Sequence, residues 1–279
     1  MPTLPPSPSP FADRPSHEVR EVAESFGVQA ERYDRARPRY PAALVDRIIA
    51  ASPGPDVLDV GCGTGIAARQ FGAAGCQVFG VDVDERMTAL ARRRGLDAEV
   101  AKFEYWDPAG RTFDTVIAGQ TWHWIEPAAG AAKAAQVLRP GGQLALFWNV
   151  FEPPASLREG FGQVYRRVLP DLPMFHRPVS GLNAYSAMCA KAADGITQTG
   201  AFGEPQQWRV PWDHPYTKDE WLDMVPTSGF HTKLEPATIK ELLAGLGAVI
   251  DAAGGGFTMH YTTVALTAVR TGAPAPSAS

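Results

Sequence analysis

Three glycines at alternate positions follow a short apolar run in the stretch VLDVGCGTG, residues 57–65. Glycines in this arrangement are typical of a turn from strand to helix where a ligand lies against the main chain. Two residues before Gly61, the first of the three, the chain carries the carboxylate of Asp59. The turn therefore combines bare backbone with a negative charge, and any ligand bound there has to suit both.

Strands and helices are predicted to alternate on both sides of this turn. Short apolar runs typical of buried strands occur as DVLDV, QVFGVD, DAEVA, FDTVIAG and QLALFWNV. Helical segments lie between them, one after a capping residue at Asp84 and one with Pro127 in its first turn. This alternation predicts βαβ units and a doubly wound parallel sheet. Two late strands, in QQWRVPW and FTMHYTTVALTAV, flank a helical insertion and predict a hairpin added to the sheet edge.

The sequence argues against a phosphate at the glycine turn. The dinucleotide fingerprint requires Gly or Ala where this chain has Ile66, and the Gly-Lys-Ser/Thr end of a P-loop is missing. Asp59 would repel a pyrophosphate and attract an ammonium group. S-adenosylmethionine has a nucleoside and an amino group but no phosphate, so it fits both features. Asp82, at the end of the second strand, is placed to hold its ribose hydroxyls.

Four stretches together resemble the successive motifs of the class I S-adenosylmethionine-dependent methyltransferases: VLDVGCGTG, GVDVDERM, FDTVIAGQTWHW and LRPGGQLALFW. The closest resemblance is to the small-molecule branch that includes the trans-aconitate methyltransferase-like proteins. It covers roughly residues 26 to 150 and extends to SFGVQAERYDRARPRYP and, more loosely, to HYTTVALTAV. It implies an α/β fold, a doubly wound Rossmann-like seven-stranded sheet whose last strand is antiparallel, with helical lid insertions.

The resemblance also implies which residues hold the cofactor. It assigns the methionine end to Asp59, Gly61, Gly63 and Gly65, the ribose to Asp82, the border of the adenine to Phe103 and Glu104, the surface beneath the methionine to Gly119 and Gln120, and the closing cover to Tyr33 and residues 37–41.

The acceptor side is predicted from TWHW, residues 121–124. In one interpretation an aromatic ring of this turn faces the sulfonium, a cation–π contact worth about 0.5–2 kcal/mol. Trp122 and His123 then bind the acceptor, and His123 serves as a general base or binds an acceptor carboxylate. In the other, the tryptophans are packing residues and His123 is a hydrogen-bonded spacer. Phe230 lies in a segment that resembles the substrate cover of the family.

The glycine turn, Asp59 and Asp82 predict a methyltransferase, and the resemblance implies that it acts on a small molecule at oxygen, either of a carboxylate or of a hydroxyl. Methylation at nitrogen or carbon remains an alternative, as does a non-catalytic module that binds S-adenosylmethionine. An NAD-dependent oxidoreductase is disfavoured by Ile66 and by the charge of Asp59.

The chain divides into six predicted segments. They are a disordered tail at 1–16, a helical cover of the cofactor site at 17–50, the S-adenosylmethionine-binding core at 51–150, a lid insertion at 151–182, the remainder of the sheet at 183–270 with a substrate-cover insertion at about 215–253, and a disordered tail at 271–279.

Composition limits the partners. A formal net charge of −4, with no long basic run, disfavours nucleic acid. The three cysteines lack CxxC spacing and the histidines lack metal-ligand spacing, so no metal is expected. No apolar stretch is long enough for a membrane span. We therefore expect a cytoplasmic monomer or homodimer that binds a small-molecule substrate and no membrane.

Overall fold

The computed structural model describes residues 26–171 and 181–272. Several predictions fall wholly or partly outside these ranges. They are the whole tail at 1–16, residues 17–25 of the cover predicted at 17–50, residues 172–180 of the lid insertion predicted at 151–182, and residues 273–279 of the tail predicted at 271–279.

Sixteen helices and strands follow one another in the described ranges. They are α1 (Ala30–Ala36), α2 (Ala42–Ala51), β1 (Asp56–Val60), α3 (Ile66–Ala73), β2 (Gln77–Asp82), α4 (Glu85–Arg93), β3 (Asp97–Val100), β4 (Phe113–Gly119), α5 (Pro127–Val137), β5 (Leu138–Glu152), α6 (Ala155–Val168), α7 (Gly181–Gln198), β6 (Gln206–Thr217), α8 (Lys218–Met224), α9 (Pro236–Ala252) and β7 (Gly256–Val269). Short 3₁₀ turns lie at Phe26–Gln29, Phe103–Tyr105, Trp122–Trp124, Val225–Thr227 and Gly229–Lys233.

The strands form one seven-stranded sheet in the order β3-β2-β1-β4-β5-β7-β6. Strands β1 to β5 pair in parallel, and β7 is antiparallel to both β5 and β6. The predicted doubly wound sheet with an antiparallel last strand is therefore confirmed. The chain reverses its direction of travel across the sheet between β1 and β4, so a crevice opens at their carboxyl ends, where ligands bind in folds of this type.

Helices cover both faces of the sheet. One core lies between the sheet and the helices α5 and α7, and the other between the sheet and the helices α2 and α3. The central strands read as continuous apolar runs because both of their faces are buried, and residues 144–148 of β5 are all buried.

The structure extends two strands beyond their predicted limits. Strand β5 begins at Leu138, which pairs with Phe113, and a register shift accommodates the Arg-Pro-Gly-Gly stretch before Gln143 pairs with Thr115. Strand β6 continues through Pro215 to Thr217, which an edge strand tolerates because one row of its backbone groups has no partner strand.

A third apolar cluster joins α6, α8 and α9 to the ends of β6 and β7. Helix α6 lies in the predicted lid insertion. Leu157, Phe161 and Val164 occupy one face of this helix and are buried in the third cluster. Within the described ranges, no helix combines the length and apolarity needed to span a bilayer.

Candidate functional site

A cleft of about 1180 Å³, including its open mouth, lies at the carboxyl ends of β1, β2 and β4. Most of the predicted cofactor residues line it: Tyr33, Asp59, Gly61, Gly63, Asp82, Phe103, Glu104, Gly119 and Gln120. Gly65 does not, because it is the residue that caps α3. The structure therefore brings together residues that lie far apart in the sequence.

The backbone of the glycine turn is strained in the way that favours glycine. Gly61, Gly63 and Gly65 have φ values of +66°, +54° and +81°. The N–H groups of Gly61 and Cys62 donate to the carbonyl of Val81, at 2.7 and 3.2 Å, and that of Gly65 donates to the carbonyl of Cys62, at 2.8 Å.

The N–H group of Gly63 is also engaged, by Asp82. It donates to Oδ2 of that carboxylate at 2.8 Å, and the N–H of Asp84 donates to Oδ1 at 2.8 Å. These donors of the turn are thus used inside the protein, whereas a phosphate-binding turn presents such N–H groups to its ligand. Gly63 leaves room on the cleft side, since a Cβ there would have only the Met87 methyl within 4 Å, at 3.5 Å.

Two carboxylates share the inner end of the cleft. Burial raises the pKa of Asp82 to about 6. Burial and the charge of Asp82 raise the pKa of Asp59 to about 8, against one hydrogen bond from the N–H of Ala68 at 3.2 Å. Two buried carboxylates that disfavour each other's ionisation favour a cation beside them. These two hydrogen-bond acceptors fit the ammonium and ribose hydroxyl groups of S-adenosylmethionine.

The side chain of Asp34, which is 1% exposed, links helix α1 to the glycine turn through hydrogen bonds and ion pairs. Its Oδ1 accepts hydrogen bonds from the Thr64 hydroxyl and from the Arg69 guanidinium, both at 2.6 Å, and its Oδ2 is bonded by Arg94. The pKa of Asp34 is lowered overall: burial alone would raise it, and the bonds from Thr64 and Arg69 outweigh that. The covering helix and the turn are thus held by one buried charge.

Gly119 and Gln120 form the floor of the cleft between β4 and β5, and each position has a special steric requirement. A Cβ on Gly119 would lie 2.5 Å from the Tyr40 hydroxyl, so only glycine fits there. Gln120 has a φ of +56°, rare for a residue with a side chain, and its N–H donates to the Phe147 carbonyl at 2.8 Å. Such strain persists where the surroundings impose it, and it is common at functional sites.

On the acceptor side the structure corrects the choice of tryptophan. Trp122 is 1% exposed, belongs to the core beneath α5 and packs against Phe103, with ring centroids 6.3 Å apart. Trp124 lines the cleft in its place. The two alternate because residues 122–124 form a 3₁₀ turn, in which successive side chains point in different directions.

His123 is not among the residues that line the cleft. Its Nδ1 accepts a hydrogen bond from the Trp148 indole N–H at 3.3 Å, and burial lowers its pKa to about 4. Because an indole N–H can only donate, the neutral imidazole carries its proton on Nε2. The hydrogen-bonded spacer of the second interpretation agrees with this geometry, whereas a base would need the lone pair that Trp148 occupies. The side chain of Phe230 lies outside the described part of the structure.

The sequence did not single out Asn149 or Trp124 as cleft residues, and it gave Arg37 no contact of its own. Asn149 and Trp124 line the cleft, and Arg37, expected only as part of the cover, reaches Thr227 in the insertion before α9. No motif marks Asn149, which stands inside an apolar strand. In the described ranges, no three His, Cys, Asp or Glu residues gather closely enough to hold a metal ion.

Comparisons with known proteins agree with the interpretation of the cleft as an S-adenosylmethionine site. Residues 57–142 match the family model of a methyltransferase domain. An uncharacterized methyltransferase of Mycobacterium tuberculosis is 28% identical over 261 residues, which cover 89% of this chain and 97% of that protein. The protein is an S-adenosylmethionine-dependent methyltransferase. Its placement in the trans-aconitate methyltransferase-like branch has no support beyond the sequence resemblance.

Two further similarities are more limited. A ubiquinone biosynthesis O-methyltransferase of Aromatoleum aromaticum is 34% identical over 100 residues, 33% of this chain and 42% of that enzyme. A solved structure from Anaeromyxobacter dehalogenans, assigned as a type II methyltransferase, has a TM-score of 0.58 at 22% identity and covers 83% of this chain and 97% of its own. The latter shows that the fold is shared.

Replacing Asp82 by Ala should weaken S-adenosylmethionine binding by about 1.5–3 kcal/mol, or roughly 10- to 150-fold, the usual contribution of hydrogen bonds to a charged group. The variant also frees the Gly63 N–H, so the glycine turn loosens. Calorimetric titration measures the change, and Asp97→Ala, at the exposed start of β3, is the control. Unchanged affinity in Asp82→Ala would show that another group holds the ribose.

Proposed function

We propose that the protein transfers the methyl group of S-adenosylmethionine to an oxygen atom of a small-molecule acceptor. The proposal includes the following roles: Asp59, Gly61, Gly63 and Gly65 at the methionine end, Asp82 at the ribose, Phe103 and Glu104 at the adenine, Gly119 and Gln120 beneath the methionine, and Tyr33 with residues 37–41 as the cover. The six-segment division of the chain remains part of the same proposal.

The main contribution of the protein to methyl transfer is to align the acceptor with the methyl group of the cofactor. The bound cofactor supplies a methyl group on a sulfonium, with a neutral thioether as leaving group. Holding the acceptor in line with that methyl can contribute roughly 7–11 kcal/mol at best. The rigid floor at Gly119 and Gln120 and the fastened cover at Asp34 are suited to such positioning.

The state of His123 favours an acceptor oxygen that is already ionised. With Nδ1 occupied by Trp148 and the proton on Nε2, this histidine can donate a hydrogen bond but does not remove a proton from a hydroxyl. Its low pKa of about 4 also leaves it neutral near pH 7, so it does not bind an acceptor carboxylate as an imidazolium. A carboxylate needs no base, because it attacks the methyl carbon directly. This is the observation that carries the preference for a carboxylate over a hydroxyl.

One partial relative is a ubiquinone biosynthesis O-methyltransferase, which is compatible with an oxygen acceptor. A module that binds S-adenosylmethionine without catalysis would share the fold, so the distinction is experimental.

The test is a screen with methyl-labelled S-adenosylmethionine against matched sets of small carboxylic acids, alcohols and amines. We expect methyl esters from acids, at a rate whose pH profile has no contribution from His123, because the pKa of this histidine lies well below its ordinary value of about 6.5. His123→Gln should retain that pH profile. Products formed only from alcohols or amines would contradict the preference for a carboxylate. An absence of transfer to every acceptor, with the cofactor bound, would favour the non-catalytic module.

A further inference from the structure

Arg37 differs from the other arginines near the cover. Arg32 and Arg35, on α1, both pair with Asp223, at 2.8 Å each. Arg39 lies 3.9 Å from Asp34. Within residues 26–171 and 181–272, no carboxylate pairs with Arg37, although its side chain lines the cleft. The cleft therefore contains a guanidinium that pairs with no acid in the part of the chain that the structure describes.

The orientation of Arg37 is set by the insertion that follows α8. Its Nε donates to the Thr227 hydroxyl at 3.1 Å and its Nη2 to the Thr227 carbonyl at 2.5 Å. Thr227 is itself held, since it is 3% exposed and its hydroxyl donates to the Met224 carbonyl at 2.7 Å. The guanidinium also lies over the Tyr33 ring, 4.7 Å from its centroid.

These contacts engage one hydrogen-bonding edge of the guanidinium and leave a second edge available. A guanidinium has five N–H donors in a fixed plane. Thr227 occupies the edge formed by Nε and Nη2, so the edge formed by Nη1 and the second hydrogen of Nη2 remains. That second edge matches a carboxylate in the bidentate geometry typical of arginine.

Tyr185, Tyr216 and Tyr261 are close enough to Arg37 for its positive charge to act on their pKa values. The hydroxyls of Tyr216 and Tyr261 are buried and 2.8 Å apart. Burial raises the pKa of Tyr185 and Tyr216, and the charge of Arg37 opposes that rise at both. Phenols can donate hydrogen bonds to an anion, but they do not neutralise the guanidinium.

We propose that Arg37 is the residue that selects the acceptor, by binding a carboxylate group of it through the Nη1–Nη2 edge, with Thr227 as the positioning residue. This inference rests on the proposed transfer to a small acidic acceptor. A planar anion would satisfy the open edge and balance the charge at once, which an amide or alcohol of the same shape would not. Selection would thus come from the cover segment and not from the TWHW turn.

The test uses carboxylic acids of increasing size, each paired with its primary amide as an uncharged isostere. Binding to the protein loaded with S-adenosylhomocysteine is measured by calorimetry, so no methyl transfer is needed. We expect at least one acid to bind wild-type protein roughly 10- to 150-fold more tightly than its amide, as for hydrogen bonds to a charged group. Arg37→Gln should remove that difference, and Arg37→Lys should restore part of it.

Two further variants separate this role from a structural one. Arg35→Gln, in the last turn of the preceding helix α1 and paired with Asp223, should leave acid binding unchanged. Thr227→Val, which keeps the side-chain shape but removes the acceptor for Arg37 Nε, should weaken acid binding several-fold and leave amide binding and S-adenosylhomocysteine affinity alone. Thr227→Val also tests the carboxylate-binding role of Arg37 if the Arg37→Gln variant does not fold.

The outcomes distinguish this inference from the proposed function. Acids that bind no more tightly than their amides would overturn the carboxylate anchor, as would full acid affinity in Arg37→Gln. Arg37-dependent binding of acids that are never methylated would support the anchor and refute the transfer to a carboxylate. Methylation of acids with an unchanged KM in Arg37→Gln would refute the anchor alone.

Discussion

Asp34→Ala should lower the free energy of unfolding by about 3 kcal/mol, the lower end of the range for removing one partner of a buried ion pair. The carboxylate is buried and accepts hydrogen bonds from Thr64, Arg69 and Arg94. Without it, these donors lose their common acceptor. The value lies at the lower end because the two arginines are about one-third exposed and regain some water. Urea denaturation monitored by tryptophan fluorescence measures the loss.

Asp223→Ala is the matched control. Asp223 also pairs with two arginines of α1, but its side chain is 29% exposed. A surface ion pair contributes about 0–1 kcal/mol, so the control should change stability little. An equal loss in both variants would show that the stability comes from the pairing of α1 in general and not from the buried position of Asp34.

The same prediction has a pH dependence. The native pKa of Asp34 lies below its ordinary value, so the ionised carboxylate adds stability that is complete above the unfolded pKa. That stability is lost as the pH falls through the native pKa. The difference between wild type and Asp34→Ala should therefore be largest near neutral pH and shrink in acid. A difference that grows in acid would contradict the lowered pKa.

The fold was largely predictable because its signals are local. The strand before the glycine turn, the cap at Asp84 and the proline that opens α5 each depend on residues a few positions apart. The structure confirms all three. The number of strands and the antiparallel last strand followed from the family resemblance. The order of the strands was not predicted, because the alternation of elements specifies a doubly wound sheet but not which strand lies at the edge.

The grouping of the residues proposed to bind the cofactor was predictable for a related reason. Asp59, Gly61 and Gly63 occupy one turn, and Asp82 ends the neighbouring parallel strand, so strand pairing alone brings them together. All four line the cleft.

The acceptor side was not predictable because it depends on contacts distant in sequence. Arg37 meets Thr227 across 190 positions, and the bond from Trp148 to His123 spans 25. No sequence pattern indicated that the Nδ1 lone pair of His123 accepts a hydrogen bond from Trp148. The prediction of a general base assumed that a lone pair of this imidazole was available. The choice of Trp122 over Trp124 depended on the direction of side chains in a three-residue turn, which composition does not specify.

Gly61→Ala should prevent S-adenosylmethionine binding at concentrations that saturate the wild type. The backbone there has a φ of +66°, and a Cβ would overlap the Thr121 side chain, whose hydroxyl donates to the Gly61 carbonyl at 3.2 Å. The left-handed conformation costs about 1–2 kcal/mol for a residue with a Cβ, and overpacking adds about 1–3 kcal/mol. Because the carbonyl of Val81 also bonds this turn at 2.7 Å, the turn cannot shift without breaking its contact with β2.

Gly141→Ala separates strain from overlap. Gly141 has a similar φ of +79°, but a Cβ there meets no atom within 4 Å. That control should lose about 1–2 kcal/mol of stability from strain alone and retain cofactor binding. Thr121→Ser, combined with Gly61→Ala, removes the Cγ2 atom that lies nearest the added methyl and should recover part of the binding. Thermal denaturation and calorimetric titration of the three variants provide the comparison. If Gly61→Ala binds S-adenosylmethionine as Gly141→Ala does, the close approach at Thr121 is not what requires glycine at this position.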